Sequence, residues 1–375
     1  MNKNRAVTLV LVLLAASCLV AVLPATAESR TLVVPDDYPT ITAAIGNATD
    51  GDTILIKKGT YDEQPLKINK TLSLVGEDAN NTILNLRPPY KETYPVSPFY
   101  SVIVYSDAIT INANDVMLSN LTINIHPPGG YISATGNRIQ IKGNNIKTGW
   151  TTGLSINGSN CNITDNTSSG LIGLSGFSNM IAGNIFSYVS ISGNSNSITD
   201  NTCQDLRLAN ACHNTVSGNK IGVSYVAGNS SHNVFYGNSI TPVSNAVRLD
   251  GNSVENNTFY HNNFINKYDN YSNYVYTSVL IGAATFWDNG REGNYWDDYN
   301  GTDSNRDGIG DTPYVINGEN IDNYPLMEPY NIENDAVVVP PEPFPTTLVA
   351  AIVATAAIVG VGVLVYFKRR KHQTK

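Results

Sequence analysis

Seven short segments of the chain repeat one arrangement of apolar and polar positions: IQIKGNNI, CNITDNTS, NMIAGNIF, NSITDNTC, NTVSGNKI, NVFYGNSI and NTFYHNNF. Aligned on their sixth residue they share Asn144, Asn166, Asn184, Asn201, Asn219, Asn238 and Asn262, at intervals of 22, 18, 17, 18, 19 and 24 residues. Three residues before each stands Ile141, Ile163, Ile181, Ile198, Val216, Phe235 or Phe259, and this apolar column never breaks. A second column, Asn179, Asn196, Asn214, Asn233 and Asn257, lies five residues before the first in the later segments. Apolar residues at fixed phase in segments this short, punctuated by Gly and Asn, predict brief strands that turn corners.

One such coil buries too little surface to be stable alone, so coils must stack and share a core. The predicted fold is all-β, a right-handed parallel β-helix in which equivalent residues lie over one another about 4.8 Å apart. Asparagine at the corners is expected to take left-handed backbone and to form side-chain ladders. A leucine-rich repeat would need regular Leu and helix-forming stretches, and a propeller a longer period. Further strands are expected at 53–56, 72–75 and 116–123. Residues 40–45, with apolar positions at helical spacing, predict a short helix that caps the open N-terminal end. On this reading Ile181→Asp costs several kcal/mol and Asn184→Asp, at a corner, costs less.

The two ends carry membrane signals. Lys3 and Arg5, the apolar run from Ala6 to Leu23 and Ala25-Thr26-Ala27 form a cleavable signal peptide. Leu348 to Phe367 is uncharged and long enough to span a bilayer, and Lys368-Arg369-Arg370-Lys371 keeps its following end cytoplasmic. The expected organisation is a signal peptide (1–27), a β-helix with N-terminal cap (28–290), a C-terminal capping module (291–332), a proline-rich stalk (333–345), a transmembrane helix (346–367) and a basic cytoplasmic tail (368–375). That places the body outside a single-pass cell membrane protein.

Charge and cysteine content narrow the partners. Seven basic residues fall in the signal or tail, leaving the exported body with 16 basic against 31 acidic residues and a formal charge of −15. Such a surface repels polyanions, which argues against DNA or RNA as a partner. Cys161, Cys203 and Cys212 are too few for a disulfide framework; a Cys203–Cys212 bond and three unpaired thiols are both open. Glycosylation sequons begin at Asn47, Asn69, Asn80, Asn120, Asn157, Asn162, Asn166, Asn229, Asn256, Asn270 and Asn300.

Four stretches carry a family resemblance. Residues 41–45, Gly51-Asp-Thr-Ile, Lys58-Gly-Thr-Tyr and Leu74-Val-Gly resemble the start of pectin-lyase-like β-helix proteins. The Asn-punctuated coils resemble repeats of the NosD type, a family called periplasmic copper-binding. Gly293-Asn-Tyr-Trp-Asp-Asp-Tyr, Asp307-Gly-Ile-Gly-Asp-Thr-Pro-Tyr and Asp322-Asn-Tyr-Pro-Leu look like the terminal module of archaeal NosD-like surface proteins. The resemblance spans about residues 31–328 and implies the parallel β-helix; fold alone implies no activity.

Three functions follow as expectations. The first is a non-catalytic surface protein that binds carbohydrate, adheres, or builds the envelope, with surface polysaccharide or other envelope proteins as partners. It draws on the aromatic residues Tyr268, Tyr271, Tyr274, Tyr276, Trp287, Tyr295, Trp296, Tyr299 and Tyr314, which stack on sugars or seal the core end; Trp296 and Tyr295 are expected to seal it. The second is a polysaccharide lyase, hydrolase or epimerase. Asp205/Arg207 and Arg248/Asp250 come nearest to an acid-and-arginine cleft, but no recognisable catalytic motif is present, and no catalytic residue is assigned. The third, implied by the resemblance, is copper-site maturation: His213 and His232 share one phase and should stack on successive coils as candidate copper ligands, in a polar exterior row. A calcium loop is expected at Asp303, Asn305, Asp307, the Ile309 carbonyl and Asp311, with Tyr314 where a bidentate Glu would stand.

Overall fold

A computed structural model of the chain describes residues 29–332 apart from 98–99, 106, 127–129, 149–152, 242–245, 251–253, 266–274, 278–284 and 319. Residues Met1–Glu333 and Asn334–Lys375 form two separate units, and all described residues belong to the first. The expected signal peptide, stalk, transmembrane helix and tail therefore lie outside the described residues. Among the described residues no helix is long and apolar enough to cross a membrane.

The body is a parallel β-helix. Each coil gives one short strand to a 12-stranded sheet and then turns a corner into an 18-stranded sheet that bends around the other two sides. The pairings in both sheets are parallel; the antiparallel exceptions are the hairpin Tyr90–Ser97/Tyr100–Tyr105 and the pair Tyr314–Asn317/Asn320–Asp322. The unbroken apolar column of the sequence is in strict register: Ile141, Ile163, Ile181, Ile198, Val216, Phe235 and Phe259 pair in succession. It continues back through Leu118, Leu74, Ile54 and Leu32, so one inward column runs through eleven coils. The predicted helix is present as Ile41–Asn47, begun by the Thr40 side chain accepting from the Ala43 N–H, and it buries Ile41, Ala44 and Ile45 against the first coils. Buried Glu63 receives the Ile41 N–H at 2.6 Å, which meets one of the unpaired donors of the first turn.

At the corners the structure corrects the expectation. The left-handed residue is the one before the corner asparagine: Gly143, Asp165, Gly183, Asp200, Gly218, Gly237 and His261 have φ between 54° and 67°, as does Asn120 before Leu121 at the equivalent corner. The asparagine that follows turns its side chain inward, where it is buried. Each Oδ1 receives two N–H groups of the preceding corner: the backbone N–H and the Nδ2 of Asn166 both point at Asn184 Oδ1, at 2.9 and 3.0 Å. Each Nδ2 also donates to the carbonyl of the inward apolar residue one coil back, as Asn184 Nδ2 does to Ile163 O at 2.8 Å. The chain of amides runs from the Leu121 N–H through Asn144 and the other six corners to Asn294. A second ladder, Asn179 to Asn257, serves the opposite corner in the same way, beginning at the Cys161 N–H.

The first ladder ends on a carboxylate. Asp322 Oδ2 accepts the Asn294 N–H at 2.7 Å and Asn294 Nδ2 at 3.3 Å, as the next asparagine would, and also the Trp296 indole N–H at 2.9 Å. Its other oxygen accepts the Tyr324 N–H at 3.1 Å. An acceptor without donors suits this place, because the last corner offers only N–H groups. Burial nevertheless pushes the Asp322 carboxyl up to about 6. Beside it the core closes with two aromatic stacks, Phe235–Phe259–Trp287 and Phe264–Trp296–Tyr314, with centroids 4.2–4.8 Å apart. Trp287 and Trp296 are both 1% exposed. Trp296 seals the end as expected, while Tyr295 stays partly exposed.

Two predictions follow from these contacts. Ile181→Asp places an unpaired charge at a fully buried position and should destabilise by about 4 kcal/mol or more. Asn184→Asp was expected to be milder; the ladder raises its cost to about 3 kcal/mol, because its Nδ2 faces Ile163 O, Ala182 O and Asn201 Oδ1, and a carboxylate would meet three acceptors. Denaturant unfolding of both variants checks this, and a near-neutral Asn184→Asp would show the ladder to be energetically idle.

The second concerns pH. Folded Asp322 holds its proton more tightly than an unfolded aspartate, which titrates near 4. Its contribution to stability is therefore greatest below about pH 4, falls as pH rises towards the folded value of about 6, and is flat above. A shift of about two units corresponds to about 3 kcal/mol. Between pH 4 and 7 the wild type should lose about that much relative to Asp322→Asn, measured by denaturant unfolding at each pH; parallel curves would refute it.

Candidate functional site

The outer surface of the bent sheet is uneven in one place. At its internal corner five coils have extra residues between consecutive strands: 87–108, 126–131 and 148–152 on one side in sequence, 241–246 and 265–274 on the other. In between, the chain takes the corner with no insertion, and Ile185–Ser192, Thr202–Ala209 and Lys220–Ala227 run round it as continuous strands. Inward residues there are spaced by three (Phe186 and Val189, Cys203 and Leu206, Ile221 and Ser224), so two consecutive residues lie outside the core in each coil, of which Val223 is nevertheless covered at 4% exposure. Gly222 is another of these six, and the close approach of its strand to the neighbouring backbone requires glycine, since a Cβ there would come 2.5 Å from the Gln204 carbonyl oxygen. The result is a hollow of about 550 Å³ bordered by Tyr188, Asp205, Lys220 and Gly222, continuous with one of about 350 Å³ bordered by Tyr188, Asp205, Arg207 and Tyr225.

Strand register sets the chemistry of this face. Tyr188 and Asp205 are neighbours across one pair of strands. In the adjoining row Ser133, Ser155, Gly173 and Ser190 lead into Arg207, Tyr225 and Arg248. The Arg248 guanidinium lies over the Tyr225 ring, 5.1 Å from its centroid, a cation–π contact that orients it. Three of the six lysines and arginines between residues 150 and 332 are Arg207, Lys220 and Arg248, so a strongly acidic body carries a local basic strip. Partial burial raises the Asp205 carboxyl above the usual carboxylate range.

The acid-and-arginine pairs of the sequence thus divide. Arg207 and Arg248 share one row, but Asp250 is in register with Ala227, two strands and two rows from Asp205, roughly 16 Å by strand geometry. That separation exceeds the range for paired hydrolytic carboxylates. Tyr188, Lys220, Gly222 and Tyr225 were not singled out from sequence. Counting from the corner asparagines finds part of the row, since Ser190, Arg207 and Tyr225 each stand six residues on; four extra residues before Arg248 hide it.

Other candidates fall elsewhere. His213 and His232 do stack on successive coils, with ring centroids 5.0 Å apart and planes 23° from parallel, and both are exposed. Imidazoles stacked face to face direct their in-plane lone pairs side by side rather than at one point. Among the described residues no three His, Cys, Asp or Glu side chains gather to hold a metal ion. The pair does not form a copper-binding set as it stands. Cys161, Cys203 and Cys212 are all free, Cys161 and Cys203 buried in the core, so the Cys203–Cys212 bond is not formed. In the 303–311 loop Asp303 accepts the Asp307 and Gly308 N–H groups, Asn305 accepts that of Asp307, and Asp307 accepts that of Ile309. Asp311 instead binds Thr302 and Ser304, which together hold its carboxyl below the ordinary range, the Ser304 hydroxyl most strongly. The loop's carboxylates are thus occupied by its own donors.

Trp287 and Tyr314 are committed to the core end, and Tyr299 meets the Tyr314 ring edge-on while its hydroxyl donates to the Thr312 carbonyl. Tyr268, Tyr271 and Tyr274 lie outside the described residues, as does Asn270. Asn166 is 1% exposed within the first ladder and has no room for a glycan; Asn47, Asn69, Asn80, Asn120, Asn157, Asn229 and Asn300 are exposed, and Asn162 and Asn256 partly so.

Residues 91–301 match the family described as periplasmic copper-binding protein (NosD). No curated protein matches the chain. Among solved structures it is similar to pectin methylesterase PemA from Erwinia chrysanthemi, at 17% identity over 60% of this chain and 81% of that one, TM-score 0.34. It is similar to the A-module of the Azotobacter vinelandii mannuronan C-5 epimerase AlgE4, at 10% identity over 65% and 88%, TM-score 0.37. A mannuronic acid-specific polysaccharide lyase from human gut microbiota shows 15% identity over 67% and 83%, TM-score 0.37. Likenesses this loose bear on no argument about function.

Proposed function

The chain belongs to the NosD family, which its match over residues 91–301 shows, and from that premise we propose that it is a membrane-anchored surface β-helix that binds carbohydrate in the groove at its uninterrupted corner. The observation that carries this reading is the groove itself. The insertion-free coils lie between coils with long connections, and they present Tyr188, Lys220, Arg207 and Tyr225 together. Tyrosine with an apolar ring and a polar tip, beside hydrogen-bond donors, is what a wet, hydroxyl-rich ligand requires. The residues offered for copper do not converge, and no step is assigned to a metal.

A second reading, a lyase- or epimerase-type enzyme, has one observation in its favour. Asp205 is a partly buried carboxyl with raised proton affinity, two residues along its strand from Arg207. One experiment separates the two. The full-length protein is titrated on an array of polysaccharides while the bound sugar is assayed for new chain ends. Binding without cleavage is expected, weakened about tenfold by Tyr188→Ala. Failure to retain any glycan sinks the binding reading; cleavage lost in Asp205→Asn would replace it with the enzyme.

We further propose that the body faces outward, held by residues 346–367. Protease added to intact cells should then remove the body and spare a C-terminal tag. Loss of the tag instead would reverse the orientation.

A further inference from the structure

The outer face of the 12-stranded sheet differs from the rest of the surface. Each strand turns two side chains outward, one residue before and one after its buried inward position, which makes two parallel rows. From Thr31 to Tyr260, through eleven coils in register, Lys142 is the one charged residue in these rows. The bent sheet, by contrast, points Asp62, Lys67, Lys147, Arg207 and Lys220 outward, and the body carries a formal charge of −15. Charge is depleted in this way at the centre of protein–protein interfaces.

Charge and size point to one occupant. Two copies of an acidic body repel one another over most of their surface, and an uncharged face is where they can approach closely. The face is about 50 Å long at the strand spacing and about 15 Å wide from corner to corner. That is roughly 750 Å² per copy, near the ~800 Å² per partner of a stable interface. Chains anchored at the same end, as proposed above, stand the same way up, so a two-fold axis between them runs parallel to the helix. Such an axis sets the row before the inward column against the partner's row after it, coil by coil. Met180 then lies opposite the partner's Ala182, Val234 opposite the partner's Tyr236 and Thr258 opposite the partner's Tyr260, large against small each time. Ser217 stands in the second row, buried and with a hydroxyl that has no hydrogen-bond partner among the described residues, and the partner's Thr215 is across from it. At the rims no acid stands directly across from an acid: Asp115 faces the partner's Asn120, Asp165 the partner's Asn160 and Asp200 the partner's Ser195.

We infer that two copies of this chain join through the outer face of the 12-stranded sheet, side by side and the same way up. The test measures the mass of the full-length protein in detergent micelles by light scattering over a dilution series. The wild type should be a dimer. Ala182→Glu places one extra charge from each copy in the middle of the face and should raise the dimer dissociation constant at least about a hundredfold. Thr258→Glu should do the same; both positions are partly exposed, melting curves are taken alongside, and a variant that melts as the wild type does decides the matter. Lys67→Glu, on the bent sheet, should leave the dimer intact. A monomer at every concentration, a dimer that the folded variants of the face leave unchanged, or one that Lys67→Glu dissociates equally would overturn the proposal. For the orientation, differently tagged chains carrying Met180→Cys and Ala182→Cys, both in a Cys212→Ser background, should be joined by a short bismaleimide. Absence of that product would overturn the pairing described, as would a glycan found by mass spectrometry on Asn162, which stands on this face.

Discussion

The fold depends on a buried primary amide. A coil of this helix must reverse direction with almost no residues to spare, and each reversal turns backbone N–H and C=O groups away from the strand ladders. Left unpaired in the interior they would be costly. The asparagine side chain meets this need because it carries one acceptor and two donors in a plane. Its oxygen takes two N–H groups from the corner behind, and its nitrogen faces one carbonyl of the coil behind and one of its own coil, as Asn201 does with Ile181 and Thr199. The N–H groups of each corner find their acceptor on the following coil, so a corner is complete only when the next coil is laid down. Polar satisfaction, like apolar burial, is thus a property of the stack.

A ladder with a direction has two unlike ends. At the start only an acceptor is needed, and Leu121 supplies its N–H to Asn144 without any polar side chain of its own. At the finish the last asparagine has donors left over, and Asp322 receives them. The carboxylate is held in a dry site between Trp296 and Asn294, where burial works against its charge and the surrounding N–H groups work for it. Gly293 belongs to the same arrangement, since a Cβ there would come 1.8 Å from the Asp322 carboxylate. The terminal module is therefore more than an apolar lid: it ends both the aromatic stacks and the hydrogen-bond chain.

The same rigidity makes an outer face with fixed spacing. Side chains in one row repeat at the strand separation, so a row reads as a ruler, and its chemistry is set by which residue each coil contributes. Ile185–Ser192, Thr202–Ala209 and Lys220–Ala227 carry the row past the internal corner as continuous strands with nothing inserted. The groove thus owes its position to the absence of an insertion, a feature that has no chemical signature of its own.

Periodic information was therefore legible in the chain. The inward column from Ile141 to Phe259, both asparagine columns and the stacking of His213 on His232 all follow from counting, because a helix of stacked coils turns equal phase into physical contact, and the helical spacing over 40–45 marks the helix found at 41–47. Other features needed the third dimension. Asn166 reads as a sequon until its side chain is seen inside the ladder, and Asp322 reads as one more acid in an acidic module until it meets Asn294. Arg248 joins Arg207 and Tyr225 although four extra residues precede it in its coil, and Trp287 joins Phe259 only across a gap of 28 residues. The physical reason is the same in each case: sequence phase is conserved where every coil has equal length, and wherever a coil lengthens, closure of the stack decides which residues meet.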